Sequence, residues 1–247
     1  MKNTLFNTNR KNLWGSLEEN SITLIFAGEA PYKSADEKYA FTPNRNFYYL
    51  TGVDKDKMLL MIVKIKGKTE ETLFVEKNDP VLARWVGEKM SKAEAKEISG
   101  IQNIEFVENF KDLFNAILEK TKIENLYLDL ERQEFDISMS TSQRFAKVVT
   151  KRYPYLKVQN IYHEIASLRL IKSEEEIKLI RKAIDITDMG IKQLMRNSKV
   201  GIKEYQLEAY FDFSLKSDGV TDYAFHTIAA CGKNATILHY VKNDSEL

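Results

Sequence analysis

Residues 58–75 read Met58-Leu59-Leu60-Met61-Ile62-Val63-Lys64-Ile65-Lys66-Gly67-Lys68-Thr69-Glu70-Glu71-Thr72-Leu73-Phe74-Val75. The unbroken apolar run Met58–Val63 predicts a buried strand, Lys66–Glu71 a turn, and Thr72–Val75 a following strand. Upstream, Ile22–Ala27 is a similar run closed by Gly28. Runs that are apolar throughout, rather than at every second residue, predict a sheet covered on both faces. The polar stretch Gly28–Asn46, with two prolines, reads as loop.

Downstream, helices and strands alternate. Pro80–Met90 predicts a helix with proline in its first turn, and Ser91-Lys92-Ala93-Glu94 is a capping box that opens another. Ile104–Val107 reads as a strand. Phe110, Leu113, Phe114, Ile117 and Leu118 repeat at helical spacing. Asn125–Leu130 is a further strand, and Ser142–Arg152 a helix stopped by Pro154. The alternation predicts an α/β sandwich over roughly the first 160 residues.

The period changes near residue 172. Ser173-Glu174-Glu175-Glu176 is a second capping box. Behind it Ile177, Ile180, Ile184, Ile191 and Leu194 share one face of a long amphipathic helix. Three glutamates in its first turn suit the helix dipole. A second helix is expected over Lys203–Ser217, ended by Asp218-Gly219 with Gly219 in the left-handed region. Residues 224–241 read as β structure with a Gly-Lys-Asn turn. The boundary gives two domains, 1–172 and 173–247.

Composition excludes several classes. The 247 residues are 43% hydrophobic and 30% charged, enough for a packed core. Lys plus Arg (37) balances Asp plus Glu (36), which is not the electrostatic footprint of a nucleic-acid or membrane-surface protein. No apolar run approaches the roughly 20 residues needed to span a bilayer. The start MKNTLFNTNRKNL lacks an apolar signal core. A single cysteine, Cys231, excludes a disulfide framework and suits a cytoplasmic location.

Chemistry-bearing residues are few. Phe225 to Tyr240 sets polar tips among apolar residues. On a strand His239 would share a face with Ile237, at the edge of a buried segment. A neutral imidazole there could donate to a substrate carbonyl or shuttle a proton. By residues alone, a hydrogen-bonded core histidine is the favoured reading. Cys231 reads as a small core residue and His163 as structural. Trp85 reads as a helix-face aromatic or, if exposed, an interface anchor. There is no GxxxxGK[ST], GxGxxG or HExxH match.

Three stretches carry a resemblance. Phe41-Thr42-Pro43-Asn44-Arg45-Asn46-Phe47-Tyr48-Tyr49-Leu50-Thr51-Gly52 resembles the N-terminal-domain signature of Xaa-Pro aminopeptidases (aminopeptidase P), shared with prolidase and creatinase. Ser167–Ile177 resembles the junction where that family's pita-bread catalytic domain begins. Ile228–Tyr240, ending Leu238-His239-Tyr240, is similar to the strand pair ahead of its metal site. The resemblance implies a creatinase N-terminal-like mixed sheet flanked by helices, then a partial pita-bread α+β domain.

It also implies hydrolysis of peptides with proline at the second position, using two divalent cations, usually manganese, held by two Asp, one His and two Glu. Those five ligands would follow Leu247, so none is expected on this chain, and the 247 residues alone are expected to be inactive. By position His239 takes the role of a non-ligand histidine that hydrogen-bonds substrate, which reverses the reading from residues alone. Phe225 matches a pocket-lining position, and His226 falls where relatives carry a different polar residue. The Trp85 segment resembles a helix that reaches a neighbouring subunit's active site in some relatives. A homodimer or higher oligomer is implied, with neither nucleic acid nor membrane as partner. A metal-free peptide- or protein-binding module and a prolidase-type dipeptidase are the alternatives.

Overall fold

A computed structural model describes residues 2–131 and 134–247; Met1, Arg132 and Gln133 lie outside the described residues. The chain divides into two compact units, Met1–Ile171 and Lys172–Leu247.

The first unit runs α1 (Lys2–Trp14), β1 (Ser21–Phe26), a short hairpin β2 (Tyr32–Ser34) and β3 (Glu37–Lys38), then α2 (Arg45–Thr51), β4 (Leu59–Ile65) and β5 (Lys68–Val75). It continues through α3 (Pro80–Val86), α4 (Lys92–Ser99), β6 (Asn103–Phe106), α5 (Phe110–Lys120), β7 (Asn125–Leu128), α6 (Thr141–Arg152), β8 (Lys157–Asn160) and α7 (Tyr162–Leu170). Six strands form one mixed sheet in the order β6-β5-β4-β1-β7-β8. β1 is antiparallel to β4 and parallel to β7, with Leu24 opposite Met61 on one side and Leu128 on the other.

The apolar runs divide by parity between two cores. Ile25, Leu60, Ile62 and Leu73 face a layer built from Leu13 of α1, Phe47 and Leu50 of α2, and Ile165 of α7. Ile22, Leu24, Leu59, Met61 and Phe74 face Phe110 and Phe114 of α5 and Val149 of α6. The sheet is thus covered on both faces, as its continuous apolarity predicts. The Ser91 capping box closes on Glu94, and Gly100 ends that helix with φ +73°.

Six elements were not foreseen. The expected loop 28–46 contains the β2–β3 hairpin, and α2 starts inside it, capped by Asn44 Oδ1, which accepts from the N–H groups of Asn46 and Phe47 at 2.9 Å. Helices α1 and α7 and strand β8 are the others. α1 has little amphipathic signal; its place is set by Arg10, fully buried, which donates from Nε to Glu71 at 2.8 Å and from Nη1 to the carbonyls of Leu50 and Ser99. Gly52 lets α2 end against α1: a Cβ there would sit 2.1 Å from the Phe6 ring.

The second unit holds α8 (Glu174–Asn197) and α9 (Glu204–Ser217), which pack together. The Ser173 capping box closes on Glu176, and Gly219 has φ +79°. The expected β structure over 224–241 is absent: that segment is irregular, with one 3-10 turn at Gly232–Thr236. Among the described residues no strand lies beside it to complete a ladder. Side chains and local turns take up its backbone groups instead, including Ala229 N–H on Asn243 and Cys231 N–H on Glu204.

Candidate functional site

The irregular segment of the second unit is organised by two buried polar residues. Glu204, at the start of α9, is fully buried and accepts four donors. Oε1 takes the Cys231 N–H at 2.7 Å and Asn234 Nδ2 at 3.3 Å. Oε2 takes the Tyr240 hydroxyl at 2.7 Å and the Ser245 N–H at 3.0 Å. Burial pushes its pKa up, but the bonds from Tyr240, Ser245 and Cys231 outweigh burial and hold it at about 2. Asn243 donates to Glu208 and to the Thr227 carbonyl, and accepts from Ala229. Residues 245–247 also pair with 201–204 through Glu204 N–H on Ser245 O and Leu247 N–H on Ile202 O, both 2.9 Å.

His239 sits in this frame, in an exposed turn one residue before Tyr240. It is not on a strand and shares no face with Ile237. Its imidazole is open to solvent, and the neighbouring Tyr240 is anchored on Glu204. Sequence reasoning missed Glu204 and Asn243, because their partners lie up to 41 residues away; an acid at a helix start reads as a solvated dipole partner.

Phe225, 74% exposed, lies on the rim of an apolar groove of about 630 Å³ between α8, α9 and residues 220–228. Leu179, Ile186, Ile191, Phe211 and Ile228 line it. His226 is exposed beside it. Trp85 belongs to the first unit, on α3, and is 84% exposed. Cys231 is half-buried rather than a core residue, and its Sγ lies 3.3 Å from the Glu246 carbonyl. Its hydrogen bond to Glu204, then burial, raise the thiol pKa, which disfavours a thiolate nucleophile.

A cation centre needs several ligands together. Among the described residues no group of three or more His, Cys, Asp or Glu is placed to hold a metal ion. The acids after His239 are engaged otherwise: Asp244 pairs with Lys242 at 2.7 Å and Glu246 with Lys203 at 3.3 Å. The residues present do not fit a dinuclear cation site.

The mixed sheet flanked by helices, followed by a helical unit with this irregular segment, is the architecture of aminopeptidase P structures. Residues 6–127 match the aminopeptidase P N-terminal domain, and residues 178–247 match metallopeptidase family M24. Both matches, in this order along one chain, make it similar to aminopeptidase P proteins of metallopeptidase family M24. It is 27% identical to Xaa-Pro aminopeptidase of Escherichia coli, over 98% of this chain and 55% of that protein. It is 26% identical to human Xaa-Pro aminopeptidase 3, over 95% of this chain and 46% of that protein. Among solved structures, a Bacillus anthracis protein assigned as an aminopeptidase P superposes with TM-score 0.96 at 44% identity, covering all of this chain and 59% of the other. Aminopeptidase P from E. coli with the inhibitor Pro-Leu shares the fold, with TM-score 0.87 at 23% identity and 56% of its length covered. The chain therefore spans about half the length of the curated relatives it matches. Full-length members of the M24 family are metal-dependent.

Proposed function

We propose that residues 1–172 are the N-terminal domain, and residues 173–247 the opening part of the catalytic domain, of an Xaa-Pro aminopeptidase that removes an N-terminal residue joined to proline. The observation that carries this reading is the two-part family match in the same order along one chain. Two divalent cations, manganese in this reading, belong to the complete catalytic domain and not to these residues.

The part of this chain is substrate placement. His239 hydrogen-bonds the substrate beside the reacting bond, from a turn held by the Tyr240–Glu204 bond. Phe225 lines the apolar wall that accepts the substrate, with His226 next to it. Trp85, exposed on α3, meets a neighbouring subunit in a homodimer or higher oligomer. The location is cytoplasmic; among the described residues no helix is long and apolar enough to cross a membrane.

The test is release of the N-terminal residue from Xaa-Pro peptides with added Mn²⁺. The 247-residue chain alone is expected to show none. In a polypeptide carrying the complete M24 domain, His239→Ala should lower kcat by about 100-fold, the range for losing a positioned proton-handling group. Undiminished turnover in that variant would remove His239 from the site. Dipeptides against longer Xaa-Pro peptides separate a prolidase-type dipeptidase from an aminopeptidase. A metal-free peptide-binding module is the second reading. Binding without cleavage by the complete polypeptide would select it.

A further inference from the structure

The first unit contains a crevice that the peptidase reading does not use. β1 and β7 are adjacent and parallel. The connection leaving β1 leads to α2 on one face of the sheet, and the one leaving β7 leads to α6 on the other. Where two such connections diverge, the carboxyl ends of the strands leave an opening in which open α/β sheets bind ligands. Here it is a cavity of about 300 Å³, at the small end of the range for small-molecule sites.

Its two walls have opposite polarity. On one side stands Asp129, just past β7 and only 3% exposed. Its Oδ2 accepts from the side-chain amides of Asn44 and Asn46, each at 3.0 Å. Its Oδ1 is buried with no hydrogen-bond partner among the described residues. A buried oxygen of this kind is costly unless something donates to it. Burial pushes the Asp129 carboxyl above the usual range, against the opposing pull of Asn46, Asn44, Arg169 and the Glu131 N–H. Glu29 adds negative charge at the same cavity. The other wall is the first turn of α6. Ser140 Oγ takes only the Gln143 N–H, and the N–H groups of Thr141 and Ser142 have no intrahelical acceptor. Arg144 adds a cation there, and the helix dipole favours an anion.

We propose that this crevice binds a small zwitterion, a free α-amino acid or dipeptide, with its ammonium on Asp129 Oδ1 and its carboxylate at the first turn of α6. A simple anion would leave Asp129 Oδ1 without a donor, and a simple cation would leave the α6 N-terminus unused. The inference involves no residue of the second unit and stands apart from the peptidase reading.

The test is amide NMR on the 247-residue chain, titrated with L-alanine and L-alanyl-L-alanine at millimolar concentration. Saturable shifts are expected at Ala27, Gly28, Thr141 and Ser142. N-acetyl-L-alanine, lacking the ammonium, and L-alaninamide, lacking the carboxylate, should each bind about tenfold more weakly, the loss of one good polar contact. Asp129→Asn should abolish the shifts. Thr141→Pro removes one N–H at a helix position that tolerates proline, and should weaken binding without unfolding α6. Absence of saturable shifts, shifts confined to other residues, or binding of either truncated analogue as tight as that of L-alanine would overturn the proposal. The analogue series is read on the unmodified chain, so it decides the matter even if a variant fails to fold.

Discussion

At the scale of single residues, the second unit turns on Glu204. A carboxylate with four donors around it is worth more ionised than protonated, hence its folded pKa of about 2 against an ordinary 4.5. A depressed folded pKa contributes stability that is fully present above the unfolded value and is lost as pH falls through the folded one. The second unit should therefore hold its stability from neutral pH down to about 4.5 and lose it between there and about 2. Glu204→Gln removes this titration, so its stability should be lower at pH 7 and flatter across that window. Chemical denaturation at several pH values, read on Tyr240 or on amides of residues 229–245, checks both; a parallel pH profile in the variant would contradict the assignment. None of this was legible locally, because the identity of Glu204 says nothing about Cys231, Tyr240 and Ser245 converging on it. Asp129 and Arg10 are similar cases, each defined by partners 40 or more residues distant.

At the scale of elements, local rules carried far. The capping boxes at Ser91 and Ser173 sit where their sequence pattern puts them. The helical spacing of Phe110, Phe114 and Ile117 gives α5, and the runs around Leu60 and Leu73 give β4 and β5. Failures came where an element is made by its neighbours. α1 has a weak apolar stripe and is held by the buried Arg10 together with Leu13. Residues 224–241 have strand-like composition but, among the described residues, no strand beside them. The α8–α9 crossing depends on Gly190, where a Cβ would fall 2.7 Å from Leu215 Cδ1 and Phe211 Cδ2. Gly190→Ala gains about 1 kcal/mol of helix propensity, while overpacking of this kind costs about 1–3 kcal/mol. Net destabilisation of the second unit is expected, measurable as a lower midpoint in urea; an unchanged or raised midpoint would mean the helices separate freely.

At the scale of the whole molecule, the two units differ in how they are held. The first has a sheet with an apolar core on each face. The second has a small buried cluster, Ile202, Leu207 and Ala229, and leaves Leu179, Ile180, Ile184 and Ile191 of α8 exposed. Apolar patches of this sort promote association. Native-state hydrogen exchange should show β1, β4 and β7 far better protected than α8 and α9. Sedimentation should show self-association that rises with concentration. Equal protection in both units, with a clean monomer at all concentrations, would mean the α8 face is quieter than its exposure implies.

The division between what was legible and what was not follows from the range of the forces. Strand runs, capping boxes, the change of period near residue 172 and the family motif around Asn44 are carried by neighbouring residues, so the amino-acid order alone determined them. The irregular course of 224–241, the exposed turn of His239, the node at Glu204 and the two-walled crevice at Asp129 exist only because distant segments meet. There burial makes each unpaired polar group costly, and the only partners able to relieve that cost are brought in by the fold.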